Sequence, residues 1–148
     1  IPLVLRGPGL RAAGVNRSHV ASLVDVTPTL LSLIGTDIPP HLHGRNLAPL
    51  CRGEPCPAEV GAVIETGHGA ALRTLHHLYA LPYEKDTRQL ARDPDRIFDL
   101  QSDPLQQRNL ASDPEARKQT RDLDTRLRQW DAETPWMAAG PEPHLAPS

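Results

Sequence analysis

Residues 96–111, Arg-Ile-Phe-Asp-Leu-Gln-Ser-Asp-Pro-Leu-Gln-Gln-Arg-Asn-Leu-Ala, carry more information about the fold than any other part of the chain. Ile97, Phe98 and Leu100 read as a short strand, Asp103-Pro104 as a turn, and Asn109-Leu110-Ala111 as the approach to a helix. The helix signal follows at once. Ser112-Asp113-Pro114-Glu115 is a capping-box pattern, and Ala116, Leu123, Leu127 and Trp130 fall near one face of a 3.6-residue period. One amphipathic helix to about Trp130 is therefore expected to cover a sheet.

Upstream of that stretch, strand signals recur at 61–66, 71–74 and 78–81, with turn chemistry between them, so the sheet is expected to be small and antiparallel. Residues 36–57 are rich in Pro, Gly and His and read as a surface connection. Before it, Ile1-Pro2-Leu3-Val4-Leu5 is a continuous apolar run of parallel-sheet type, ended by Gly7-Pro8-Gly9. Asp25 or Thr27 can cap a helix with Pro28 in its first turn, running through Leu30, Leu31, Leu33 and Ile34 and stopping at Gly35. Its four apolar residues predict a largely buried helix. After Thr134 the sequence is dominated by Pro, Gly and Ala. The expected organisation is thus 1–57, 58–134 and a tail at 135–148.

At 148 residues the chain suffices for one small core and is too short for a two-domain enzyme of several hundred residues. It opens on Ile1, its one methionine is Met137, and its first residues already read as a buried strand, so the sequence is expected to be truncated. Sixteen basic and eighteen acidic residues leave a formal charge of −2 with no cationic block, which argues against nucleic acid. Five aromatic residues, Tyr79, Tyr83, Phe98, Trp130 and Trp136, offer no stacking platform for single strands. No apolar run approaches the roughly 18 residues of a spanning helix.

Several of these pieces occur together in one known family. Val24-Asp25-Val26-Thr27-Pro28-Thr29-Leu30-Leu31, His43-Gly44-Arg45-Asn46-Leu47, Arg73-Thr74, Phe98-Asp99-Leu100, Asp103-Pro104 and Asn109-Leu110-Ala111 stand in the order of the carboxy-terminal third of the sulfatases. Over about residues 1–130 the chain resembles that family, within the alkaline-phosphatase-like superfamily. Asn46 stands where the family usually has serine, and Gln106-Gln107 where it usually has glutamate. The resemblance implies an α/β fold represented by its C-terminal part. That part comprises the last strand and helix of the main domain, then a small antiparallel sheet with a covering helix.

It also implies sulfate-ester hydrolysis by a formylglycine made from Cys or Ser in a Cys/Ser-x-Pro-x-Arg motif, beside a calcium or magnesium ion. Neither cysteine satisfies that motif: Cys51 precedes Arg-Gly-Glu-Pro and Cys56 precedes Pro-Ala-Glu-Val. The carboxylate ligands implied by the family would also lie before Ile1. The chain alone is therefore expected to lack catalytic residues and metal ligands, to bind no cofactor, and to depend on an upstream main domain. A phosphonate or phosphate monoester hydrolase of the same superfamily, or a non-catalytic module, are the alternatives.

Other candidate chemistry has a plainer explanation. His41, His43, Cys51 and Cys56 are zinc-ligand types, but their spacing matches no common finger, and a solvated loop is expected. A disulfide between Cys51 and Cys56 would close a small loop in an oxidising compartment, and two unpaired surface-loop cysteines are the favoured alternative. His76-His77 lies in a strand-like region where neighbouring rings point to opposite faces, so one packed and one exposed histidine are expected. Asp99 and Asp103 are explained by a strand end and an Asp-Pro turn without acid-base chemistry. No serine sits on a nucleophile elbow. Asn16-Arg17-Ser18 fits a glycosylation acceptor, relevant to a eukaryotic secretory route. His68, between Gly67 and Gly69, and Arg73, with forked donors suited to an anionic sulfate, are the substrate-rim candidates, and for His68 a plain turn is the favoured expectation. For Arg73 a structural ion pair within the sheet is the favoured expectation.

Overall fold

The computed structural model describes residues 3–10, 14–56, 61–85 and 87–134. Four strands, β1 (Ala62–Thr66), β2 (Gly69–Arg73), β3 (His77–Pro82) and β4 (Arg96–Asp99), form one antiparallel meander in the order β1-β2-β3-β4. All four lie within a residue or two of the expected positions. Register follows side-chain alternation: Val63 pairs with Leu72, Leu72 with Tyr79 and Tyr79 with Ile97, so these four share one face. That inner face, extended by Ala70 and Leu81, is packed against Ala111, Ala116, Leu123 and Leu127, with Trp130 partly buried beside them.

The covering helix is two segments, α3 (Pro114–Gln119) and α4 (Arg121–Glu133), where the period predicted one. Asp113 caps α3 by accepting from the Glu115 N–H at 2.9 Å, and Pro114 takes the first helical position. The break falls at Thr120, which is 1 % exposed and whose hydroxyl donates to the Ala116 carbonyl at 2.8 Å. A buried threonine bonding back four residues bends the helix there. The apolar face continues through the bend, so the expected residues are still the ones buried.

Asn109 holds the strand to the helix approach. Its side-chain oxygen accepts from the N–H groups of Ile97 (3.1 Å) and Ala111 (3.0 Å), while its amide donates to the Asp95 carbonyl at 2.8 Å. Three backbone groups beside an unpaired strand edge are thereby satisfied by one side chain. The Asn-Leu-Ala segment is a splice, which is why it marks the fold without marking chemistry.

The N-terminal elements are a 3-10 turn at Leu23–Asp25 and two helices, α1 (Val26–Leu33) and α2 (Ala48–Arg52). Gly35, at φ 76°, ends α1, as expected of a glycine just past a helix. The short α2 falls inside the Pro-rich connection and was not expected. Pro49 seeds its first turn, and Gly53 (φ 76°) reverses the chain after it.

Two expectations fail here. Leu3, Val4 and Leu5 form no strand; Val4 is 87 % exposed, and Ile1 and Pro2 lie outside the described residues. A parallel-type strand needs a neighbour on each side, and the described sheet is antiparallel with both edges elsewhere. Nor is α1 largely buried. Only Pro28 and Thr29 are, while Leu30 and Ile34 stay 45 % and 74 % exposed. Residues 135–148 lie outside the described residues, as does the Pro57 side of the expected domain boundary.

Candidate functional site

Asp25 is the one buried acid among the described residues, 2 % exposed, and its surroundings explain two of the sequence signatures. It does not cap α1 with its side chain, and neither does Thr27; the carboxylate turns away from the helix. It accepts from the Ser22 N–H (2.8 Å), the Arg45 N–H (2.7 Å) and the Arg45 guanidinium (2.7 Å). The same guanidinium donates to the Val20 carbonyl, and Thr29 links the Asp25 carbonyl to the Leu47 N–H. Burial by itself pushes the Asp25 carboxyl up, but the hydrogen bonds from Arg45 and Ser22 outweigh it and hold the group below the usual carboxylate range.

Gly44 makes this approach possible. A Cβ built there would stand 1.8 Å from the Val24 carbonyl oxygen, so only glycine lets the backbone pass. Asn46 then accepts from the Ala48 N–H at 2.9 Å, a role serine also performs at a helix start. The Asp-Val-Thr-Pro-Thr and Gly-Arg-Asn-Leu segments are thus two halves of one polar clamp. With every carboxylate oxygen consumed by donors, Asp25 is a structural anion and not a general base.

Asp99 and Asp103 are spent the same way. Asp99 accepts from the Gln101 N–H and the Ser102 hydroxyl, and Asp103 from the N–H groups of Gln107 and Arg108. The Ser102 and Gln101 donors lower the Asp99 carboxyl, and the Arg108 and Gln107 donors lower that of Asp103. Both are turn-forming anions.

The rim candidates separate. His68 is exposed in the β1–β2 turn, its N–H donating to Thr66 Oγ1 and its carbonyl accepting from the Tyr83 N–H at 2.8 Å. Arg73 ends β2 at the other side of the hairpin, about 16 Å away by the rise of an extended strand. They do not converge on one point. Arg73 also lacks the expected ion pair: among the described residues no carboxylate lies within 4.0 Å of its guanidinium. The strand positions that flank it in register, Ala62 and Leu78, are apolar.

Cys51 and Cys56 are both free and half-buried. Burial pushes the Cys51 thiol up, away from an activated thiolate. Among the described residues no group of three or more His, Cys, Asp or Glu side chains is placed to hold a metal ion, His41, His43, Cys51 and Cys56 included. His76 is exposed and His77 half-buried, close to the expected division. Asn16 accepts from the Ser18 and His19 N–H groups in an exposed turn. No described helix is long and apolar enough to cross a membrane.

Against known proteins, no family model matches the chain. Individual relatives do. The chain is 33 % identical over 144 residues to the choline-sulfatase of Rhizobium meliloti, covering 90 % of this chain and 26 % of that protein. It is 33 % identical over 124 residues to human arylsulfatase K, covering 75 % of this chain and 22 % of that protein. Among solved structures, a 2-O GAG sulfatase superposes with a TM-score of 0.68 at 23 % identity, over 86 % of this chain and 28 % of that one. The chain spans about a quarter of the length of the relatives it matches.

Proposed function

Because this chain is a family-level relative of the sulfatases, within the alkaline-phosphatase-like superfamily, we propose that it is the C-terminal part of a metal-dependent sulfuric ester hydrolase of arylsulfatase type. Residues 1–57 are assigned to the edge of its main domain, 58–134 to a small C-terminal subdomain and 135–148 to a tail. The observation that carries the reading is the match along nine-tenths of the chain to a protein named for sulfate-ester cleavage. Apart from Arg73-Thr74 at the end of β2, the signatures shared with that family are, in this molecule, a strand, a clamp, a turn or a splice.

The nucleophile and the divalent cation are accordingly placed upstream, where a formylglycine beside calcium or magnesium would supply attack on the sulfur ester. What this chain contributes is support. Arg73 is the better of the two rim candidates, because a half-buried guanidinium with no carboxylate partner among the described residues suits an anionic sulfate. His68, exposed at the far end of the hairpin, is retained as a lesser rim candidate.

Hydrolysis of a chromogenic aryl sulfate tests this reading. Purified 1–148 is expected to show no turnover, and the polypeptide extended through the upstream coding region, with its nucleophile converted, is expected to show metal-dependent turnover. Activity in the short form, or inactivity of the converted long form, overturns the reading.

A further inference from the structure

We draw no further inference here: the strongest candidate, the side-chain cluster of Glu65, Tyr83 and Arg88 where the β3–β4 connection meets β1, has its groups turned on one another, with the Tyr83 hydroxyl donating to Glu65 at 3.0 Å and the Arg88 guanidinium over the Tyr83 ring, and nothing in the structure shows what ligand or neighbour meets it.

Discussion

The C-terminal part of this molecule, residues 61–134, closes a core of its own, whereas the N-terminal part, residues 20–54, is organised by a charge. In the first, Leu81, Ile97 and Leu127 are almost wholly withdrawn from water, and the polar groups at the edges are satisfied by Asn109 and Asp113. In the second, the most buried polar side chain is Asp25, while Leu23, Val24, Leu30 and Ile34 face solvent. A core can stabilise itself; a clamp only sets geometry. A buried ion pair roughly offsets its own desolvation cost, so it holds α1 against the Gly44-Arg45 segment without supplying a net driving force for folding. The difference teaches that one part is held by apolar burial and the other by polar geometry, with large apolar side chains left at its surface.

Substitutions can break that comparison. The largest effect belongs to Leu127→Asp, which puts a carboxylate at a position 0 % exposed under the sheet; a loss of about 3–5 kcal/mol is expected in chemical denaturation. Survival of cooperative unfolding at near-native midpoint in that variant would show that the inner face is not the core. Next comes Arg45→Ala, which leaves Asp25 buried with only its backbone donors. Arg45 is itself partly exposed, so the cost is discounted to about 2 kcal/mol, and it is expected in α1 while the sheet is unaffected.

The clamp also has a pH signature. The Asp25 carboxyl is lowered in the folded protein, so its contribution is present above the unfolded value of about 3.9 and is lost as pH falls through the lower folded value. Helical signal from α1 should therefore fade under acid below about pH 4, and Arg45→Ala should shift that fading to higher pH. An acid transition identical in the two proteins would remove Asp25 from the account. The smallest effect is that of Arg126→Ala on α4. Its pairing with Asp122 is long, at 3.5 Å, and one of its guanidinium nitrogens is buried without a partner among the described residues, so truncation should cost about 0.5 kcal/mol or less. Equal losses for Arg126→Ala and Leu127→Asp would sink the amphipathic assignment of α4.

What could be read from the sequence divides along the same line. The four strands and the Ala116, Leu123, Leu127 face were legible because alternation and a 3.6-residue period are local signals with an apolar consequence. The bend at Thr120 was not, since its cause is one buried hydroxyl whose burial only the tertiary structure decides. The Asp25–Arg45 clamp was missed as a contact although both segments had been singled out. Residues twenty apart in a polar network leave no period, and the nearest signal was Gly44, whose need appears only when a second backbone passes close by. The strand reading of 1–5 was misled in the other direction. A run of apolar residues states that burial is wanted, not where the partner is. For the rim candidates, the sequence supplied plausible residue types, and the hairpin placed them at opposite ends.

Native-state hydrogen exchange on 1–148 tests the central contrast most directly, residue by residue and without mutation. Amides of Leu72, Tyr79 and Leu81 in the central strands are expected to exchange only with global unfolding, and those of Leu30, Leu31 and Leu33 in α1 at least 100-fold faster through local opening. Equal protection in α1 and the central strands would contradict the account, because it would mean that the N-terminal part shares one cooperative core with the sheet and is not held separately by its polar clamp.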